Sequence, residues 1–278
     1  MAEKTNPKLS ETTPKTMLTP TGGFLAGYTH TLNPYSGCSF ACAYCYVRRM
    51  PVALFRGEPW GSWVAAKRFD PNAFRRELAR AYKKGPTSIF LSSATDPYQP
   101  AEHGQRLTRE LLELLANDPP AFLFVQTRSP LATRDIDLFA RFPADRLRVS
   151  VTVETDRDDM RRAFAPYSPP IAGRLRALRR LRDAGIATQA AVAPLLPCTA
   201  GFAAALAGVT ERVTLDTFAL GDGASGRRSE ALGMRSRLEA LGLAEWYAPE
   251  KLEEVRGLFA AHFPSDRIFV SQDGFAPH

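Results

Sequence analysis

Six short β-prone runs alternate with amphipathic helical stretches along most of this chain, and that alternation narrows the fold more than any other feature. The runs are His30 to Pro34, Ser88 to Ser92, Ala121 to Gln126, Leu147 to Val153, Thr188 to Ala193 and Val213 to Ala219. Helices are predicted between them at Pro71 to Lys84, Gln105 to Asn117, Thr133 to Phe142, Pro170 to Ala184 and Phe202 to Gly208. Two more, Arg227 to Leu241 and Pro249 to Phe263, follow the last run. Strands joined by helix-length connections read as parallel βαβ units, which makes the chain an α/β protein. In the helix from Pro170, Ile171, Leu175, Leu178 and Leu181 recur at helical spacing. Arg174, Arg176, Arg179, Arg180 and Arg182 take the other faces and read as its solvated exterior, with a basic binding surface as the alternative.

Met1 to Gly23 is rich in Thr, Pro and Lys and lacks hydrophobic periodicity, so it is expected to be a mobile arm. A core over 24–220 follows, and then a helical extension over 221–278. There is no apolar run of membrane-spanning length and no apolar stretch near the N-terminus of the kind a secretory signal uses. These readings exclude a membrane partner and place the protein in the cytoplasm. The formal charge of +7 is compatible with a nucleic-acid or other anionic partner and identifies none.

Three of the four cysteines fall within eight residues, as Cys38-x3-Cys42-x2-Cys45 at the end of the first predicted strand. This crowding suits metal binding in a reducing compartment better than structural disulfides. A single zinc ion ordinarily takes a fourth protein ligand, and no nearby His or Cys completes a familiar zinc pattern; the nearest downstream histidine is His103. An iron–sulfur cluster on three cysteines instead leaves one iron open to substrate or cofactor.

The triplet, with the aromatic Tyr44 just before its last cysteine, resembles the signature of radical S-adenosylmethionine (SAM) enzymes. Ser93-Ala94-Thr95-Asp96-Pro97-Tyr98-Gln99-Pro100, Thr127-Arg128-Ser129 and Ala193-Pro194 resemble strand-end segments of the spore-photoproduct-lyase-like branch, over roughly Gly27 to Leu220. The resemblance implies a partial (β/α)6 radical-SAM barrel with a C-terminal helical extension. It also implies a [4Fe-4S] cluster on Cys38, Cys42 and Cys45, with SAM on the fourth iron. Reductive cleavage of SAM would then yield a 5′-deoxyadenosyl radical for hydrogen abstraction, with flavodoxin or ferredoxin as reductant.

Active-site residues of such barrels gather at the C-terminal strand ends, which gives an expected place to each candidate. Tyr44 is assigned to the adenine, or to wedging the cluster loop. Ser92, Ser93 and Thr95 are assigned to the methionyl amino group, with Asp96 either accepting such a bond or starting a turn. Arg128 is assigned to the methionyl carboxylate or to an ion pair with a rim acid such as Asp135. Ser150, Thr152 and Glu154 share one strand face and are candidates for the ribose or the substrate; a buried Glu there needs a partner. Gln189 and the Ala193-Pro194 turn are candidates for contact with the adenosine.

The chain departs from the branch in one respect. The lyase branch places a hydrogen-donating cysteine after the second strand, and here Leu91 to Asp96 contains none. This leaves the radical chemistry implied while setting aside thymine-dimer repair of that type. Cys198, after the fifth strand, is the alternative donor, or else an inert packed cysteine. The stretch Phe55 to Arg68 interleaves aromatic and basic residues and either stacks on bases or pins a loop. Two competing functions stay open: a nucleic-acid-binding protein with a structural zinc or iron–sulfur site, and a radical SAM enzyme acting on a peptide or small metabolite.

Overall fold

All six predicted strands form in the computed structural model, which describes residues 6–277. In chain order the strands are β1 (Lys8–Thr12), β2 (Leu18–Pro20), β3 (His30–Leu32), β4 (Tyr35–Ser36), β5 (Trp63–Lys67) and β6 (Ser88–Leu91). They continue with β7 (Phe122–Thr127), β8 (Leu147–Thr152), β9 (Thr188–Val192), β10 (Val213–Leu215) and β11 (Ile268–Val270). The main sheet runs β11-β10-β9-β8-β7-β6-β3-β2, parallel throughout except for β2. Each neighbour from β3 to β10 is the next strand of the predicted series, which is the order of a singly wound βα barrel wall.

Alternation sorts the side chains of this sheet. Ile89, Leu91, Leu123, Val125, Val149, Val151, Val192 and Val213 point outward into one core with Leu78, Leu111, Leu178, Leu181 and Phe259 of the surrounding helices. Each such side chain, once fully buried, stabilises by roughly 1.5–3 kcal/mol relative to exposure. The inner face carries Phe90 and Phe124, paired in register and stacked at 5.0 Å, with Tyr28 and Phe275 closing over them. The Tyr28 hydroxyl donates to the Phe275 carbonyl at 2.7 Å, and Phe24 meets Phe275 at 6.2 Å. Segments flanking opposite ends of the strand order therefore touch, and the sheet curls around an aromatic interior.

Helix Pro71–Tyr82 starts where Asp70 accepts from the N–H groups of Asn72 and Ala73, with proline in its first turn. Helix Ile171–Asp183 buries Ile171, Ala177, Leu178 and Leu181 as its periodicity predicts. A further helix, Asp158–Phe164, was not among the predicted elements.

The described part of the expected arm is ordered in the structure, while residues 1–5 lie outside the described residues. β1 pairs in parallel with β5, and β2 pairs antiparallel with β3. Met17 and Leu18 are buried, and both of their N–H groups donate to the Glu77 carboxylate, at 3.0 and 2.9 Å. Burial and ladder bonds offset the entropy that composition alone left uncompensated. The Phe55 to Arg68 stretch is likewise no simple loop, because Trp63–Lys67 is the central strand of the small β1-β5-β4 sheet. The C-terminal extension is not wholly helical either: β11 adds to the edge of β10.

No helix among the described residues is long and apolar enough to cross a membrane.

Candidate active site

The C-terminal strand ends open onto a cavity of about 530 Å³, within the range of small-molecule sites. Cys38, Cys42 and Cys45 all line it, carried by the loop that follows β4. That loop depends on Gly37, which has a φ of +79° and whose Cβ, were there one, would lie 2.5 Å from the Trp63 carbonyl oxygen. Only glycine fits both the left-handed backbone and the contact. Three side chains then hold the loop. Thr95 Oγ1 and Gln99 Nε2 donate to the Gly37 carbonyl at 2.6 and 3.2 Å, and Arg48 donates to the carbonyls of Cys42 and Ala41 at 2.9 and 2.7 Å.

The thiols are electrostatically unsettled. Burial, then Asp96 and the neighbouring thiols, push Cys38 well up. Burial and Cys42 push Cys45 up to about 11. Cys42 is raised by burial against the opposing pull of Arg128. Three buried thiols, two of them raised further by neighbouring sulfurs, are the donor set whose protonation a cationic iron centre reverses, since a metal-bound thiol is deprotonated outright. Among the described residues no three Cys, His, Asp or Glu side chains converge on the position of a single ion. The three thiols instead share one cavity wall.

Beside them lies a buried charge network. Glu154, 2% exposed, accepts from the Tyr44 hydroxyl, from Arg128 Nη1 at 2.5 Å and from Arg174 Nη1. Arg128 Nη1 also donates to the Tyr44 hydroxyl at 2.6 Å. Burial alone would raise the Glu154 carboxyl; Arg174, Arg128 and the Tyr44 hydroxyl outweigh it and hold the group at about 2. Arg174 has no exposed surface, so it is not part of the solvated helix face expected for it. Its guanidinium also donates to the carbonyls of Pro169 and Thr152 and to Ser168 Oγ. The rim ion pair expected of Arg128 exists with Glu154; Asp135 is taken by Arg109 and Arg134.

The other candidates divide by place. Ser92, Ser93, Thr95 and Asp96 line the cavity after β6, Arg128 after β7, Thr152 at the end of β8, and Ala193 and Pro194 after β9. Ser92 holds a φ of +75°, and its buried Oγ has no partner. Gln126 donates to Thr152 Oγ1 at 2.7 Å and leaves its own buried Oε1 unpaired on the cavity wall. Three lining residues, Trp60 among them, thus carry a buried polar atom without a partner beneath the cavity wall, which suits a polar ligand there. Asp96 is the anchor of its turn, accepting from the N–H groups of Tyr98 and Arg128 and from the Thr127 hydroxyl at 2.7–2.9 Å. Ser150 and Gln189 sit deeper: Gln189 accepts from Arg212 Nε at 2.7 Å and does not reach the cavity. Glu154 stands behind Tyr44 and Arg128 and touches no ligand space of its own.

Cys198 is not at the mouth. Bonds from Leu195 N to the Asp216 carbonyl and from Leu196 N to the Glu154 carbonyl turn the chain away after Pro194. Cys198 packs against the outer core, with its thiol pushed up to about 12 by burial and then by Asp156. Trp60 and Trp63 meet edge to face at 5.9 Å and pin their loop, whereas Phe55 is 87% exposed. Sequence reasoning missed Arg48, Gln99, Gln126 and Arg174. Only Arg174 was signalled, through the partner a buried Glu154 requires.

Residues 32–197 match the family model described as Radical SAM superfamily, which is more than half of the chain and includes all three cavity cysteines. An uncharacterized protein of Methanocaldococcus jannaschii is 34% identical over 173 residues, covering 62% of each chain. One of Mycobacterium tuberculosis is 33% identical over 174 residues, covering 61% of this chain and 50% of that protein. The match thus spans less than two thirds of either relative. Among solved structures, spore photoproduct lyase complexed with dinucleoside spore photoproduct superposes with a TM-score of 0.66 at 14% identity. The superposition covers 95% of this chain and 81% of that one, and at this identity it shows a shared fold.

Proposed function

We propose a function from one premise: the chain belongs to the radical SAM superfamily. It is a radical SAM enzyme, and SAM and an iron–sulfur cluster are the cofactors of that superfamily. On our reading Cys38, Cys42 and Cys45 hold a [4Fe-4S] cluster, and Tyr44, Ser92, Ser93, Thr95, Arg128 and Thr152 form the wall for SAM. Bound together, these cofactors supply a one-electron cleavage of SAM whose 5′-deoxyadenosyl radical removes a hydrogen atom from substrate.

The protein's share is placement and charge. Arg128, paired with Glu154 and close to Asp96, places a guanidinium on the wall beside Cys42 in a low-dielectric setting. Arg128 opposes the rise that burial gives the Cys42 thiol, and its guanidinium suits a carboxylate at this wall. Arg174 and Glu154 fix Tyr44 and Arg128 from behind, and Thr95, Gln99 and Arg48 fix the cysteine loop. The unpartnered Ser92 and Gln126 oxygens lie beneath the wall where a polar ligand would bind, and the aromatic interior excludes water beneath it. Among the described residues no cysteine outside the triplet lines the cavity. We therefore separate this reaction from one that returns hydrogen from a protein thiol.

For substrate we assign a nucleotide or nucleic acid, supported by the formal charge of +7 and by the fold shared with spore photoproduct lyase. A reductant of the flavodoxin or ferredoxin class fits this chemistry and a cytoplasmic setting. The observation that carries the reading is the gathering of three cysteines on one cavity wall, with the unpartnered polar atoms of Ser92 and Gln126 beneath it. The test is anaerobic reconstitution with iron and sulfide, reduction by dithionite in the presence of SAM, and assay of 5′-deoxyadenosine against Cys42→Ala. Product from the wild type alone supports it; a protein that takes up zinc and no iron–sulfur cluster refutes it.

A further inference from the structure

Over a third of the cavity wall is not used by the cysteine loop or by the strand ends from β6 to β9. This part is built from Thr21 to Leu25, the segment after β10, and Phe275. We propose that it is the substrate subsite, in which Asp216 bonds the N–H edge of a planar nucleobase, Phe24 and Phe275 face its ring, and Arg228 takes its phosphate. The inference rests on the nucleotide reading above and names the groups that would recognise the nucleotide.

Asp216 is the first residue beyond β10, at the mouth like the other strand-end residues, and 2% exposed. Among the described residues it makes no ion pair. Its surroundings are shaped to seat a carboxyl group. A Cβ on Gly221 would lie 2.3 Å from Asp216 Oδ2, so residue 221 has no room for a side chain while the carboxyl stays in place. Thr217 N–H donates to Oδ1 at 2.9 Å. Ser271 supplies a side-chain hydrogen bond from a backbone held at φ +49°, a left-handed conformation that costs a non-glycine residue on the order of 1 kcal/mol. A buried carboxyl with two neutral donors and no cation is under-satisfied, which marks it as a group awaiting a partner.

The groups around it complete a nucleotide's chemistry. A Cβ on Gly223 would lie 3.2 Å from Arg228 Nη1 and 3.9 Å from Phe24 Cβ, so the Arg228 guanidinium and the root of the Phe24 side chain flank one glycine on the cavity wall. Arg228 spends one nitrogen on the Asp222 carbonyl, at 2.6 Å, and makes no ion pair among the described residues. The Asp222 carboxylate is fully engaged by the N–H groups of Ala224, Gly226, Arg228 and Ser229, so it does not compete for the guanidinium. Asp216 and Arg228 both line the cavity on the chain segment that follows β10. A half-buried arginine without a carboxylate is a phosphate site, and an N–H edge is what a buried carboxyl accepts. Burial, and then the like charge of Asp222, raise Asp216 to about 7 against Ser271 and Thr217, so at neutral pH the group both accepts and donates.

The test is equilibrium dialysis on the reconstituted holoenzyme with SAM present, using thymidylyl-thymidine and free thymidine as probes. Asp216→Ala is expected to weaken both probes at least about tenfold, and Gly221→Ala, which crowds the carboxyl without removing it, to weaken both. Arg228→Gln is expected to weaken the phosphate-bearing probe about tenfold and free thymidine less than twofold. SAM affinity, measured alongside, stays within twofold in all three. Thymidylyl-thymidine binding unchanged by Asp216→Ala or Arg228→Gln, equal loss of both probes in Arg228→Gln, or SAM affinity falling in step with the probe overturns the subsite while leaving the nucleotide reading intact. A wild-type enzyme that binds neither probe overturns that reading, and the subsite with it.

Discussion

Replacing Glu154 by Gln keeps the shape of the side chain and removes the one negative charge between Arg128 and Arg174. In the folded protein the carboxyl is held at about 2 against its ordinary 4.5, because the two guanidiniums and the Tyr44 hydroxyl outweigh the burial that would raise it. A difference of that size corresponds to about 3 kcal/mol of stability at neutral pH. Mutational experience with buried ion pairs gives a similar figure, ~3–5 kcal/mol when one partner is removed and the other stays buried. Because Arg174 has no exposed surface, solvent screening does not reduce this cost.

The sign follows from the direction of the shift. A carboxyl held low in the folded state contributes stability that is fully present above the ordinary pKa and is lost as pH falls from about 4.5 toward about 2. Urea unfolding followed by far-ultraviolet circular dichroism should therefore show Glu154→Gln weaker than wild type by about 3 kcal/mol near pH 7, with the gap narrowing below about pH 4.5. In thermal unfolding the loss is on the order of 10 °C. Combining it with Arg174→Met should cost less than the sum of the two single changes, since the second removes a guanidinium already left without its partner. A neutral-pH gap under about 1 kcal/mol, or a gap that does not shrink in acid, would refute the assignment of this network as the rigid backing of Tyr44 and Arg128.

Three further outcomes follow from the same geometry. Gly37→Ala forces a Cβ against the Trp63 carbonyl, so iron bound per chain after reconstitution should fall several-fold, with the far-ultraviolet spectrum retained. Ser92→Gly relieves a left-handed backbone worth about 1 kcal/mol and removes the orphaned hydroxyl; unfolding should show a gain in stability while dialysis shows a loss in SAM affinity, and weaker unfolding stability would contradict the strain argument. Cys198→Ser should leave 5′-deoxyadenosine formation within twofold of wild type, and its thiol, raised to about 12, should resist iodoacetamide at about pH 8 in the native protein.

What could be read from the sequence is what short-range spacing encodes. The parallel strands show because alternating β-prone and helical periods are local. The cysteines show because their spacing within one loop already permits convergence. What stayed hidden depends on partners far along the chain. Trp63–Lys67 has little strand signal by itself and becomes one by pairing with Lys8–Thr12, some fifty residues away, and that same pairing turns an apparently mobile arm into an edge strand. Cys198 follows the fifth strand as expected, yet two backbone bonds after Pro194 carry it off the rim, and no local signal records them. Arg174 is the instructive case. On a helical wheel it lies among solvated arginines, and what distinguishes it is a glutamate twenty residues earlier, at the end of the preceding strand. Here the strand end and the first turns of the helix Ile171–Asp183 are neighbours in space although the short helix Asp158–Phe164 lies between them in the chain. A buried acid at the first position therefore calls for a base at the second, and the two residues carry their meaning only as a pair.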